Sequence, residues 1–474
     1  MKTKFLLLLL VLVVVQIANA QTKYLWATAS TGGPNGWGTI LQADSDGSNF
    51  HVVYAFDSTN GSSPRGGMGV DANGVLYGST STGGYGDSCV IYTYDPTTGT
   101  YTKIYDDELT PLSGVVPVGG LTAYPTNILY GAATSGGMNG LGVIFSINPA
   151  TMAYADVYDF SDSTGSYPFS EFLLASDGKL YATTTSGGLN GAGVIYSFDP
   201  HNNTYSVIHN FFMPDGGCDS MNSTVFYPNM ANLMQAADGK LYGTTPAGGA
   251  YNGGVIYSLD LAGNIYTDVY DFDTTYVQIG GLVQAGNGKL YGISIPNPYT
   301  SVTVFGDIYS FDPSTNSFNV VMSFDQLSGF GSMGQLTKIS NGKLLGTNQS
   351  GGLNGYGTIF SYDVTTSTYS KLLDFDGANT GSDPSCAIVE SSVAAQTATG
   401  TTKVPVTGGL SIFPNPTTNV LIVANATAGT PLTITDITGD VIAKYTTSNN
   451  TTPIDVSRLA AGTYFLNKVK FVKQ

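Results

Sequence analysis

Six aspartates, Asp57, Asp106, Asp159, Asp271, Asp325 and Asp374, recur where an alternating apolar run gives way to a polar loop, sometimes with a second acid nearby, as in Asp271 and Asp273. Paired carboxylates at a defined separation are the equipment of glycoside hydrolysis. Recurrence argues for a different use: a catalytic pair is singular, whereas an acid repeated along the chain marks a repeated turn. The run DSDGSN, Asp44 to Asn49, has the Asp-x-Asp-Gly pattern of a calcium loop. It lacks the downstream glutamate ligand and falls on a hairpin, so the turn reading is favoured and no metal site is expected. His51, His201 and His209 are the only histidines, and they fall in or beside apparent strands and turns. Cys89, Cys218 and Cys386 are too few and too scattered for a disulfide framework, and buried thiols are the expectation. Gly-Gly pairs are frequent, but no helix and no Lys-Ser/Thr pair follows them, which excludes a phosphate-binding loop. No catalytic residue and no cofactor is expected.

The elements that carry these residues are repeats. The phrase KLYGTTPAGGAYNGGVIYSLD, residues 240 to 260, has counterparts beginning at Tyr24, Val75, Ile128, Lys179, Lys289 and Lys343. Its anchoring leucines, Leu25, Leu76, Leu129, Leu180, Leu241, Leu290 and Leu344, are 51, 53, 51, 61, 49 and 54 residues apart. A period near 50 residues belongs to four-stranded propeller blades. Each period holds four strand signals, shown best by ANLMQAADG, KLYGTTPAGG, GVIYSLD and NIYTDVYDF. The first two are joined by Asp-Gly or Asn-Gly, which suits a two-residue hairpin turn, and the last two by runs such as DPTTGTY.

The composition agrees with an all-β extracellular protein. Charged residues make up 11%, against 61 glycines and 31 tyrosines. The net charge is −16, and Arg65 and Arg458 are the only arginines, so no basic stripe exists for nucleic acid. Residues 1–20, with Lys2 and Lys4, an apolar run from Phe5 to Val15 and Ala18-Asn19-Ala20, read as a secretory signal peptide. That run is shorter than the roughly 20 residues of a membrane span, so the protein is not expected to be transmembrane.

The first copy begins at its second strand, and after the seventh copy the chain supplies GSDPSCAIVESS, which matches a first strand. The expectation is a closed seven-bladed β-propeller of four-stranded blades over 21–392, with residues 385–391 completing the first blade and Cys386 to Glu390 beside Leu25 to Thr28. Closure removes the sheet edges that a linear solenoid would expose. A polar linker, 393–408, follows, and then short alternating strands over 409–474 that suggest a small Ig-like β-sandwich.

Within that tail, FPNPTTNVLIV, ITDITGDVIAK, IDVSRLAAGTYFL and the terminal KFVKQ resemble the successive boxes of the type A sorting domain of the type IX secretion system, known from Bacteroidetes. The resemblance rests on Pro414, Asn415, Pro416, Asp436, Gly439, Gly462 and Tyr464. It implies the type IX secretion machinery as a partner, and a secreted or cell-surface location reached through the periplasm. Residues 23 to 392 are similar to the GloVer tandem repeats of bacterial exported proteins, through LYGTT..GG....G.IYS.D and loops such as DFDGANTGSDP. The sixth copy departs from them in lacking the Gly-Gly pair. This resemblance implies a repeat architecture and no catalytic residues.

In such a propeller the Gly-Gly loops ring one mouth of the channel. Trp37, Tyr85, Tyr251 and Tyr356 occur around the Asn-Gly or adjacent positions of these loops, where other copies have Leu141 and Ala192, and the irregular sixth loop offers Tyr299. Exposed there, the rings would stack on sugars; buried, they would fill grooves between blades. The two least repetitive stretches, 211–230 and 293–307, are natural binding loops. The expected function is a secreted or cell-surface module binding a glycan or a surface protein. The alternative is a carbohydrate-active enzyme using carboxylates at the mouth.

Overall fold

The computed structural model describes residues 22–106, 119–212, 231–278, 280–297, 305–393, 411–413, 420–424, 429–436, 440–447, 451–467 and 469–473. Tyr299 and Cys218 lie outside them, with 213–230 of one irregular stretch and 298–304 of the other, as do Pro414, Asn415, Pro416 and Gly439. The chain divides into two units, Met1–Gln396 and Thr397–Gln474.

In the first unit, alternation of Val, Ile, Tyr and Thr produces antiparallel strands, and among the described residues they form seven successive sheets. The second strand of each carries the anchoring leucine, which is at most 2% exposed in all seven sheets. In the fifth sheet the order is Met234–Gln235, Leu241–Thr244, Val255–Asp260 and Ile265–Asp271. The inner strand is only a two-residue ladder. Every third–fourth strand pair carries a register shift at the same place, as between Ile256 and Tyr257, and this strengthens the local twist.

The turn between first and second strands has three residues, not two. Ala175 N–H donates to the Lys179 carbonyl and Gly178 N–H to that of Ala175, and the same pair of bonds recurs at Ala236 and Ala285. Only the glycine has positive φ, +83° at Gly178 and +85° at Gly239, so the turn is type I followed by a glycine bulge. Asp177 stays out of the left-handed region, and its carboxylate accepts the Lys179 N–H at 3.1 Å and the Tyr181 hydroxyl at 2.9 Å.

Each sheet buries one face on its predecessor and the other on its successor. Seven clusters of apolar side chains fill these seams, with Trp26 and Tyr92 between the first and second sheets and Phe272 and Tyr309 between the fifth and sixth. The seventh cluster joins Leu345, Ile359 and Phe375 to Leu25, Ala27 and Leu41 of the first sheet. Outer strands are linked by stacked rings, Tyr54 on Tyr101 at 4.2 Å, Tyr158 on Tyr205 at 3.9 Å and His209 on Tyr266 at 4.0 Å. Such pairs add about 0.5–1.5 kcal/mol each beyond area burial. The first sheet takes its inner strand from afar: Val389–Val393 runs antiparallel to Thr22–Trp26, three residues further along than the 386–390 segment named above. Trp26 Nε1 donates to Ser391 Oγ at 2.8 Å across this junction.

The second unit has two antiparallel sheets. One contains Ser411–Phe413, Val420–Ala424 and Thr451–Asp455, the other Val441–Thr446, Pro431–Thr435, Gly462–Leu466 and Val469–Lys473. Leu421, Ile434, Ile454, Leu466 and Phe471 share one core.

The seam packing generates a pair of contrasting expectations. Phe160 is fully buried against the rings of Tyr158, Tyr196 and Tyr205, so Phe160→Ala should lower the urea unfolding free energy by about 3–5 kcal/mol. Tyr257 Oη is buried without a hydrogen-bond partner, beside Gly243, where the third sheet has Phe145 beside Gly131. Tyr257→Phe should therefore leave the same measurement unchanged or raise it.

Candidate functional site

The recurring carboxylates are consumed by the glycine loops. Asp106, Asp159, Asp271 and Asp374 end their outer strands, and each Oδ1 accepts the backbone N–H of the loop residue 21 positions earlier, Tyr85, Met138, Ala250 and Leu353, at 2.6–2.9 Å. Asn210 does the same for Leu189 at 2.8 Å. Asp106 also pairs with Lys103, and Asp374 with Lys371 at 2.9 Å. Asp57 accepts the N–H groups of Thr59 and Asn60, and Asp325 that of Ser328, whose N–H and hydroxyl hold the Asp325 carboxyl below the ordinary range. In the Asp44–Asn49 hairpin, Asp46 accepts from Ser48 N–H and Oγ, and Asp44 from the Asn49 amide at 2.6 Å, so these oxygens close a turn. The histidines are structural too: His209 stacks on Tyr266, His201 meets the Tyr124 hydroxyl at 3.0 Å, and His51 Nδ1 lies 2.9 Å from the Asn49 carbonyl.

On these loops the aromatic side chains reach solvent, whereas Ala192 is buried in a seam and Leu141 packs against another. Trp37, Tyr85, Tyr251 and Tyr356 are 47, 65, 65 and 48% exposed. No ring contact joins any two of them among the described residues. Tyr85 and Tyr251 stand on the loops of the second and fifth sheets, whereas Trp37 and Tyr356 flank one junction. The Ser63 N–H donates to the Trp37 carbonyl at 3.1 Å and the Asp383 N–H to that of Tyr356 at 3.2 Å. Arg65 pairs with Asp383 at 3.6 Å, which places the sole guanidinium of the repeat region between these two loops. Tyr167 makes the equivalent backbone bond to Leu141 at 3.0 Å and is itself exposed, a rim aromatic that the loop pattern did not reveal. Ser63, Tyr167 and Asp383 have φ of +53°, +55° and +57°, and each precedes a proline. Side chains rarely adopt this region, and strain of about 1–3 kcal/mol per residue persists only where the surroundings enforce it.

Immediately inside the rim, the segments that lead into the seven inner strands meet one another. Each ends in a buried anchor, Met68, Leu121, Phe172, Leu233, Leu282, Leu336 or Ile388. The preceding residue is Gly67, Gly120, Gly281 or Ala387 in four segments, and Glu171, Asn232 and Gln335 in the other three. The backbones approach so closely that a Cβ on Gly119 would lie 3.0 Å from the Ser170 carbonyl, one on Gly281 2.7 Å from that of Asn232, and one on Gly334 3.0 Å from that of Cys386. The Cys386 thiol in turn reaches the carbonyls of Arg65 and Gly66 at 3.2 and 3.3 Å, completing an annulus.

The three polar side chains of this annulus are connected. Asn232 Oδ1 accepts the Glu171 N–H at 2.9 Å, and Asn232 Nδ2 donates to Glu171 Oε2 at 3.4 Å and to Gln335 Oε1 at 3.3 Å. The Glu171 carboxyl occupies the space that glycine leaves at position 120, where a Cβ would come within 2.6 Å of it. Protein surrounds Glu171 while the annulus keeps it in partial contact with solvent, and this desolvation pushes its carboxyl up to about 7. No ion pair joins it to Lys or Arg among the described residues. The sequence held a trace of these residues, since each replaces a small residue just before an apolar anchor.

In the second unit, Asp436 accepts the Asp440 N–H at 3.0 Å in a turn, Gly462 begins a strand, and the Tyr464 hydroxyl donates to the Ala460 carbonyl at 3.0 Å.

Comparison with known proteins agrees with the architecture. The Gloeobacter/Verrucomicrobia repeat model matches residues 15–227 and 218–412, and a secretion system C-terminal sorting domain matches 411–471. The latter is of the type IX system, engages its machinery, and indicates export to the cell surface or secretion. No curated protein matches the sequence. Among solved structures, the periplasmic gluconolactonase of Pseudomonas aeruginosa is similar at 15% identity and a TM-score of 0.54, covering 79% of this chain and all of that one. Putative 6-phosphogluconolactonases of Bacteroides uniformis (13%, TM-score 0.53, 78% of this chain and 99% of that one) and Bacteroides fragilis (15%, 0.52, 79% and 99%) are also similar. These likenesses show a propeller-like all-β fold.

The buried carboxyl has a testable signature. The folded protein holds the Glu171 proton up to about pH 7, whereas an unfolded glutamate loses it near about 4.3. Its contribution to stability is therefore full below about pH 4, falls as pH rises between the two values, and stays low above them. Glu171→Gln should match the wild type in urea unfolding at pH 4 and exceed it at pH 8.

Proposed function

The chain belongs to the Gloeobacter/Verrucomicrobia repeat family, and we propose that its repeat region, 21–392, is a closed seven-bladed β-propeller that binds a glycan or a surface protein outside the cell. In this reading residues 1–20 are a signal peptide, 393–408 a linker and 409–474 an Ig-like sorting sandwich. Seven sheets with seven seams, the last returning to Leu25 and Ala27, support the ring. Binding rather than catalysis is supported by one observation above all: the repeated aspartates are spent on backbone, while Trp37, Tyr85, Tyr251 and Tyr356 stand among the exposed apolar groups of the rim. Flat rings on rigid loops lose little conformational entropy when they stack on a ligand. Hydrolysis would call for two carboxylates at a defined separation. Among the described residues the annulus holds one, Glu171, and nearby Asp383 is engaged by Arg65.

A glycan array probed with the exported protein tests this directly: binding that falls at least tenfold in Trp37→Ala or Tyr356→Ala is expected, and release of sugar from a bound glycan would replace the reading with an enzyme. Export is tested separately. Deleting 409–474 should hold the protein in the periplasm, seen by fractionation and immunoblot; unchanged appearance outside the cell would refute the sorting role.

A further inference from the structure

The annulus departs from the repeat in three positions at once, and the three departures touch. Glu171, Asn232 and Gln335 come from the fourth, fifth and seventh sheets, from segments whose counterparts carry only glycine or alanine at that place. Ring closure needs none of them, since Gly67, Gly120, Gly281 and Ala387 serve equally well in their own sheets. What they add is a string of polar atoms, Glu171 Oε2, Asn232 Nδ2 and Gln335 Oε1, at contacts of 3.4 and 3.3 Å, in a setting that keeps partial access to solvent.

The chemistry of the set narrows its ligand. An anion finds no cation beside the carboxyl, Arg65 being paired with Asp383. A hard metal ion prefers several carboxylates, whereas here two of the three groups are carboxamides, and Asn232 turns its N–H side toward the other two. A neutral polyol satisfies both kinds of group, because each hydroxyl donates to a carboxyl or carboxamide oxygen and accepts from an amide N–H. Segments from all seven sheets enclose the annulus, a setting that suits a free sugar or a chain end better than a polymer lying across it.

We propose that Glu171, Asn232 and Gln335 form a hydroxyl-reading subsite for the terminal residue of a neutral saccharide, beneath the aromatic rim. The subsite rests on the glycan form of the binding reading above and gives it a substrate class. Glu171 Oε1 and Gln335 Oε1 take the ligand's hydroxyl protons, and the rim rings hold the sugar that follows.

The test titrates the full exported protein with maltotriose, cellotriose, mannotriose, galactotriose and chitotriose by calorimetry, with saturation-transfer NMR on any that bind. At least one trisaccharide should bind, with saturation concentrated on one terminal sugar. Glu171→Gln and Gln335→Ala should each weaken it at least tenfold, while Asp363→Asn, on an exposed turn between third and fourth strands, changes nothing. Glu171→Gln keeps the shape of the side chain, and a melting temperature equal to the wild type's at pH 4, where both side chains are largely neutral in the folded and unfolded states, confirms its fold. Binding that survives both annulus variants overturns the subsite and leaves the rim as the binding surface. Failure of the wild type to bind any of the five overturns the subsite and the glycan form of the function together. Heat from CaCl2 titration that Glu171→Gln abolishes overturns it in favour of a metal.

Discussion

A four-stranded sheet with two apolar faces must cover both, and that requirement shapes the repeat unit of this chain. Each sheet covers one face with its predecessor and one with its successor, so an open row would leave a bare face at each end. The packing of Phe375 and Ile359 against Leu25 and Leu41 removes both at once. The junction is then sealed from inside by Val389–Val393, which lends the first sheet its inner strand and brings Ser391 to the Trp26 indole. The regularity of the other seams, with one fully buried ring after another and stacked pairs outside them, follows from repeating a single solution.

The fixed frame makes two concentric zones of variable chemistry. At the rim, the glycine loops of the second, third, fifth and seventh sheets are each held by the aspartate that ends the outer strand, and that of the fourth by Asn210, while successive glycines with positive φ, +83° at Gly248 and +74° at Gly249, let the loop fold back onto its cap. A Cβ on Gly249 would come within 2.6 Å of Asp271 Oδ1, so glycine here is demanded by the cap. The side chain next in line is exempt from any structural duty, and it varies from tyrosine to alanine. Inside the rim the first-strand segments crowd together, and glycine is again the default. There a polar side chain is the exception and must find its partners among other exceptions.

Much of this was legible in the sequence because it repeats. Period, the buried leucines and the structural use of the acids follow from copies that agree, and the two sequence families match the same residues, whereas the extra strands Ser166–Pro168 and Tyr276–Gln278 of the fourth and sixth sheets carried no repeated signal. The turn between first and second strands was misjudged because Asp-Gly fits both a two-residue and a three-residue loop, and only the bond from Ala175 N–H to the Lys179 carbonyl decides between them. Glu171, Asn232 and Gln335 stayed hidden for another reason. They lie 61 and 103 residues apart, and no local pattern reports that a ring brings them within hydrogen-bond reach. Tyr167 was missed because it lies outside the glycine loops, before Pro168, in a left-handed conformation that its residue type does not advertise.

The borrowed strand at Val389–Val393 also sets a schedule. A polypeptide emerging from the ribosome carries Thr22–Ala29, Thr39–Asp44 and His51–Ala55 early, yet the fourth member of that sheet follows only after more than three hundred further residues. Until then the Trp26 indole N–H lacks Ser391 and the Leu25 face lacks its seventh-sheet cover. Loop closure over such a span is entropically slow, so the nascent array stays open to chaperones and to proteolysis throughout synthesis.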